Sequence, residues 1–253
     1  MRRKYLGMCR TTTSVLTLPV YKSKINDSKV SYPESHYMQV PMDTKPRWER
    51  RKDARPQELL AAALDLFVER GFASTRLEDV AKRAGVSKGT LYLYFENKQE
   101  LFKAVVRDNI VHSIGEAENS MAASDAGSGE LLRSLMMQWW EEFGATKLAG
   151  LTKLMMAETN NFPELAQFYN EEVVQRGNAL IASLVERGMR RGEFRQVDPV
   201  LVSAILCAPM TMLMMWTHSF LPCDVNNIDP IAYLNTFIDM SLRGLQLEPG
   251  VNR

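Results

Sequence analysis

Cysteine and histidine are scarce, three of each in 253 residues. Cys9, Cys207 and Cys223 lie far apart with no CxxC pair, which excludes a disulfide framework and a thiolate metal site and fits a reducing compartment. The GxSxG elbow, the HExxH helix, the phosphate-cradling GxxxxGKS/T loop and the dinucleotide GxGxxG are all missing. Nucleophilic, zinc-dependent and nucleotide-dependent chemistries therefore lack their usual parts, and no enzyme activity, cofactor or metal is expected. Asp108 and His112, four positions apart, have a metal-like spacing that is read here as a surface pair. The start is basic (Arg2, Arg3, Lys4), but no apolar run of seven or more follows, so no signal peptide is expected and a cytoplasmic location is. Strand-like alternation is nearly absent, which predicts an all-α chain.

Net charge is also small, +1, and taken as a whole argues against a polyanionic partner. Counted by segment it does not: residues 1–46 carry +5, 47–103 carry +3, and 104–253 carry −7. An asymmetry of this kind points to nucleic acid or a membrane at the basic end.

Residues 1–46 mix Ser, Thr, Lys and scattered Pro without sustained period, and are read as a disordered arm or an over-long start. From Arg55 the i, i+3/i+4 pattern of Leu59, Leu60, Ala63, Leu64, Phe67 and Val68 predicts a helix over about 55–70, ending at Gly71. Thr75 and Glu78 have capping-box spacing for a second helix, about 76–84. Ser87 caps a third through Tyr94, and Asn97 with Glu100 starts a fourth that runs toward Met121. Further helices are expected at about 130–143, 146–160, 164–190, 199–219 and 229–246.

Helix, the short linker Gly85–Lys88 and helix make a helix-turn-helix: Ala81 and Gly85 are small where two backbones approach, and Val86 and Leu91 fill the space between. The outer face of the second helix combines Lys88, Gly89, Thr90, Tyr92 and Tyr94, groups able to hold phosphates and read base edges in a major groove. Lys98, in the first turn of the next helix, aligns a cation with free amides, an arrangement suited to phosphate. Taken singly, tyrosines on a helix are core residues and a lysine at a helix start is solvated. Arg47, Arg50, Arg51, Lys52 and Arg55 add a basic stretch, diluted by Glu49 and Asp53, that is either a DNA-reaching arm or plain solvated surface.

The run Ala62–Phe102, with its Gly-Phe, Val-Ala-x-x-Ala-Gly-Val-Ser, Gly-Thr-Leu-Tyr-x-Tyr-Phe and Lys-x-x-Leu elements, resembles the DNA-binding domain of the tetracycline-repressor (TetR/AcrR) family of bacterial regulators. That resemblance covers about 55–105. It implies a three-helix DNA-binding domain over 47–105 and a helical effector-binding and dimerisation domain over 106–253, with DNA contact by Thr75, Arg76, Lys88, Gly89, Thr90, Tyr92, Tyr94 and Lys98.

Residues 199–223 hold no Asp, Glu, Lys or Arg, which meets the length of a membrane span. Pro209, the polar Ser203, Thr211 and His218, a closing Pro222 and the absence of a flanking basic cluster argue against one, and no membrane partner is expected. The alternative is a helix buried against its own domain and a second subunit. With the last helix it would form half of an intersubunit bundle, giving a homodimer whose two reading helices meet a palindromic operator.

Methionine is frequent, 15 in all, and with the aromatics it suggests an adaptable pocket for an apolar or aromatic effector. The candidate lining is Met136, Trp139, Trp140, Phe143, Met155, Phe168, Met212 and Trp216, each of which is ordinary core if taken alone. Glu141, Glu142 and Glu158 lie near this group and leave a cationic ligand open. The whole reads as a ligand-responsive repressor.

Overall fold

The computed structural model describes residues 55–220 and 228–247, and they form eleven helices with no strand among them. The arm 1–46, the basic residues Arg47–Lys52, the side chain of Arg55 and the closing Pro222 lie outside the described residues. Helix α1 (Arg55–Ser74) buries Leu59, Ala63 and Phe67 completely. It kinks at Gly71, whose φ of 82° is a left-handed conformation that glycine adopts without steric cost. The chain then folds back so that Phe72 closes an aromatic triangle with Phe67 and Phe102, with centroids 5.3 to 5.6 Å apart.

Helix α2 (Leu77–Arg83) starts differently from the capping box that the spacing predicts. Arg76 is its N-cap and gives no side-chain bond. The Thr75 hydroxyl instead turns inward, donating to the carbonyls of Gly71 (2.7 Å) and Leu66 (3.1 Å). The two carbonyls it reaches lie on α1 at and before the kink, so the hydroxyl ties the loop back to α1.

Helix α3 (Lys88–Tyr92) follows a turn at Gly85 (φ 68°) and is capped by Ser87, which accepts from the Thr90 amide at 3.1 Å. Asn97 caps α4 (Lys98–Val106) by accepting from Glu100 at 2.9 Å. The long fourth helix of the sequence reading is interrupted: a wide π turn, Arg107–Val111, separates α4 from α5 (His112–Ala123). A second, Trp140–Gly144, ends α6 (Ser128–Trp139), and a third, Asn170–Gln175, joins α8 (Pro163–Tyr169) to α9 (Arg176–Arg190).

Between them α7 (Ala149–Glu158) lies against α1, closely enough that a Cβ on Gly150 would fall 2.7 Å from Val68 Cγ1. Helix α10 (Pro199–Ser219) begins at Asp198, which accepts from Val200 (2.9 Å) and Leu201 (3.1 Å), and α11 (Pro230–Leu245) begins at Asp229. Arg187 fastens the α5–α6 turn by donating to the carbonyls of Met121, Ser124 and Ala126.

By length and composition α10 would cross a membrane, with a mean hydropathy of 1.8. Here it is two-faced. Ser203, Leu206, Met210, Leu213 and Met214 point into the body, while Leu201, Ile205, Met212 and Phe220 are about 60% exposed.

Candidate nucleic-acid interface and effector cavity

The α2–α3 unit is locked by contacts that leave one side of α3 free. Leu91 is wholly buried and the Val86 amide donates to the Ala81 carbonyl at 3.0 Å, so α3 is held at a fixed angle to α2. The opposite side carries Lys88 and Gly89, both exposed, with Tyr92 (45%) and Tyr94 (40%) beside them. Thr90 is half-buried, its hydroxyl 2.8 Å from that of Ser87. Arg76 is exposed at the start of α2. Lys88 pairs with Glu78 of the bracing helix, whose hydrogen bond raises the lysine pKa, and also lies 5.7 Å from the Tyr92 ring.

Two residues of the sequence-derived set are placed elsewhere. Thr75 is 1% exposed and its hydroxyl is spent on carbonyls, so it shapes the loop into α2 rather than reaching outward. Lys98 does not align with the amides of its own helix. Its ammonium donates to the carbonyls of Phe72 (2.7 Å) and Ala73 (3.1 Å) and sits 4.5 Å from the Phe72 ring. Desolvation lowers its pKa. The carbonyl end of α1 attracts the cation more strongly than open solvent does. Sequence reasoning also passed over Leu93, 82% exposed next to the reading side of α3; the alternation Tyr-Leu-Tyr was its only signal.

Asp108 and His112 do not converge: Asp108 accepts from Gln57 at 3.2 Å, and His112 lies 3.4 Å from Glu116.

In the body, a partly open cavity of about 210 Å³ is enclosed by α5, α6, α9 and α10 with the π turns. Each π turn contributes to its wall: Asn109 and Ile110 from the first, Glu142 and Phe143 from the second, Val173 and Val174 from the third. The extra residue in a π turn re-aims side chains, and such turns concentrate at functional sites.

Met136, Trp139 and Phe143 of the expected lining do face this cavity. Trp140, Met155 and Phe168 are buried elsewhere. Trp140 packs toward Gly144, and Phe168 lies under the cations of Lys103 and Arg107, 5.8 and 4.9 Å from its ring. Met212 and Trp216, 62% and 41% exposed, turn away from the cavity toward a shallow groove shared with Tyr233 of α11.

The lining also includes residues the sequence reading did not single out, among them Ile114, Ile181 and Tyr169. Tyr169 shares a 2.6 Å hydrogen bond with Thr152, and burial pushes its phenol up to about 12.

Comparison with known proteins places both halves. Residues 59–105 match the family model "Bacterial regulatory proteins, tetR family", and 128–230 match "Tetracyclin repressor-like, C-terminal domain". The chain is 28% identical over 147 residues to the fatty acid metabolism regulator protein of Bacillus subtilis, covering 57% of this chain and 74% of that one. It is 27% identical over 192 residues to the transcriptional repressor KstR2 of Rhodococcus jostii, covering 74% and 91%. The structure of the B. subtilis regulator FadR with stearoyl-CoA has the same fold, with a TM-score of 0.64 at 22% identity, over 75% of this chain and 99% of that one.

Proposed function

The chain belongs to the tetR family of bacterial regulatory proteins, and from that premise we propose that it is a repressor that binds a palindromic operator as a homodimer and is released by a hydrophobic or aromatic small molecule. Its relatives are transcriptional regulators, not enzymes. The observation that carries the reading is the contrast within α3, where Leu91 is wholly buried and the neighbouring Lys88, Gly89, Tyr92 and Tyr94 are exposed. A helix of five residues held this way reads few base pairs, and a second copy related by a two-fold axis supplies the rest.

Within this reading 47–105 is the reading head and 106–253 the sensing and dimerising body, in a cytoplasmic protein at the nucleoid. Arg76 and Tyr92 hold phosphate, and Lys88, Thr90 and Tyr94 face the bases. Lys98 contributes through the amides of the first turn of α4 while its ammonium braces α1.

Dimerisation uses α10 and α11, whose exposed Leu201, Ile205, Met212, Ile231 and Met240 are a liability in a monomer. The same residues answer the membrane alternative, since a second copy covers them without lipid. The effector occupies the cavity beside Met136, Trp139 and Phe143. Sedimentation of the full chain, alone and on the duplex upstream of its own gene, tests this: the expected species are a dimer and two chains per duplex. A monomer in both states would overturn it.

A further inference from the structure

The charge around the cavity is one-sided. Among the described residues that line it there is no Lys, Arg or His, and there is one carboxylate, Glu142. The bases near the lining in the chain are already committed: Arg107 donates to Glu172 from Nε (3.0 Å) and Nη2, Arg176 to Glu118 from Nε (2.8 Å) and Nη2, Lys147 to Asp65 (2.6 Å) and Lys153 to the His218 carbonyl (3.1 Å). Each guanidinium thus faces a carboxylate in a bidentate pair and is not turned to the cavity.

Of the three carboxylates that the sequence places near the aromatic group, only Glu142 lines the space. Glu158 instead acts on Lys98, whose pKa it raises against the desolvation. Glu142 keeps one oxygen, Oε1, on the Gln138 amide at 2.9 Å. On the same wall the Trp139 and Phe143 rings stand 5.5 Å apart at 47°. The remaining polar groups, such as Asn178 and Thr211, are neutral.

We propose that the effector is a small aromatic or alkyl cation, a quaternary or protonated amine, whose charge sits between Glu142 and the Trp139 and Phe143 rings. This rests on the effector reading of the cavity given above. An anionic ligand would enter a space with no countercharge and one repelling carboxylate, whereas a cation finds both an ion partner and ring faces. The size agrees: an enclosed space of about 150 Å³ holds benzene, so 210 Å³ takes a ring with a short substituent.

The test titrates the full-length chain with benzyltrimethylammonium, its uncharged carbon isostere neopentylbenzene, and phenylacetate, followed by tryptophan fluorescence and calorimetry. Benzyltrimethylammonium is expected to bind at least about tenfold more tightly than phenylacetate, and Glu142→Gln to cost the cation about fivefold to tenfold while leaving the isostere unchanged. Glu141→Gln, altering a carboxylate that is exposed as Glu142 is but stands outside the lining, should leave the cation's affinity as it was. Phenylacetate binding as tightly as the cation, or a cation indifferent to Glu142→Gln, overturns the charge assignment. If the isostere binds with no preference for charge, the cavity reading survives and the cation inference alone falls. If none of the three binds, both fall together.

Discussion

The head and the body of this molecule both have fully buried cores but differ in what surrounds them. In the head, Leu59, Ala63, Phe67, Leu91, Leu101 and Phe102 have no exposed surface, and three phenylalanine rings interlock. In the body, helices are interrupted by π turns around a 210 Å³ cavity, and apolar side chains such as Met212 and Met240 remain outside. A close-packed core transmits strain, while a surface rich in methionine can refill around different shapes. The difference teaches where regulation acts. On the proposed reading, the head would keep its reading surface and be displaced as a unit, and the body would supply the two arrangements between which an effector selects.

Three ties connect the two. Lys147 of the body pairs with Asp65 of α1 at 2.6 Å, Val68 is seated on Gly150, and Phe72 meets Phe162 of the body edge to face at 4.7 Å. Helix α7 is central, because Leu148 and Thr152 face the cavity while Gly150 meets α1.

Removing the head's rigidity should have the largest effect. Phe102→Ala is expected to destabilise by about 3–5 kcal/mol, read as a drop in denaturation midpoint, with loss of DNA binding. Gly150→Val strains the tie without touching either core. It should cost about 1–3 kcal/mol and change the effector concentration needed for release, with little change in the apo affinity for DNA. An unchanged release curve would mean that the head is driven through other contacts.

Lys98→Ala separates bracing from phosphate contact. Losing a charged donor to two carbonyls should cost about 1.5–3 kcal/mol and leave the salt dependence of DNA binding unchanged. Arg76→Ala should do the reverse, flattening the salt slope by about 0.9.

The smallest effect is electrostatic. The hydrogen bonds of Arg107 and Arg176 hold the Glu172 and Glu118 carboxyls below their ordinary 4.5. Carboxylates depressed on folding stabilise fully above the unfolded value and lose that contribution as pH falls through the folded one. Both pairs are partly exposed, so each is worth about 0.2–1 kcal/mol, and Glu172→Gln should flatten the stability profile below pH 4.5 by that amount.

Much of the head was legible because its signals are local. Ser87 and Asn97 cap their helices, Gly71 and Gly85 take positive φ, and Leu91 is core, each as its residue type and spacing imply. Thr75 and Lys98 misled because carbonyls at the kinked end of α1 compete for the same donors, and a kink's exact partners depend on tertiary packing.

The body was harder for a geometric reason. In a helix apolar on every side, such as α10, no periodicity says which face is inside, so Met212 and Met210 look alike and end on opposite sides. The π turns shift the phase again after Val106, Trp139 and Tyr169, and Ile110, Phe143 and Val173 within them enter the cavity.

Selection of bound sequences from random duplex DNA by the full chain, run beside its Thr90→Ala variant, tests the assignment of α3 as a base-reading element most directly. An inverted repeat should emerge, and the variant should relax preference at one position in each half, symmetrically. No enriched sequence, or equal loss on selected and random DNA, would mean that α3 grips the backbone and does not read bases.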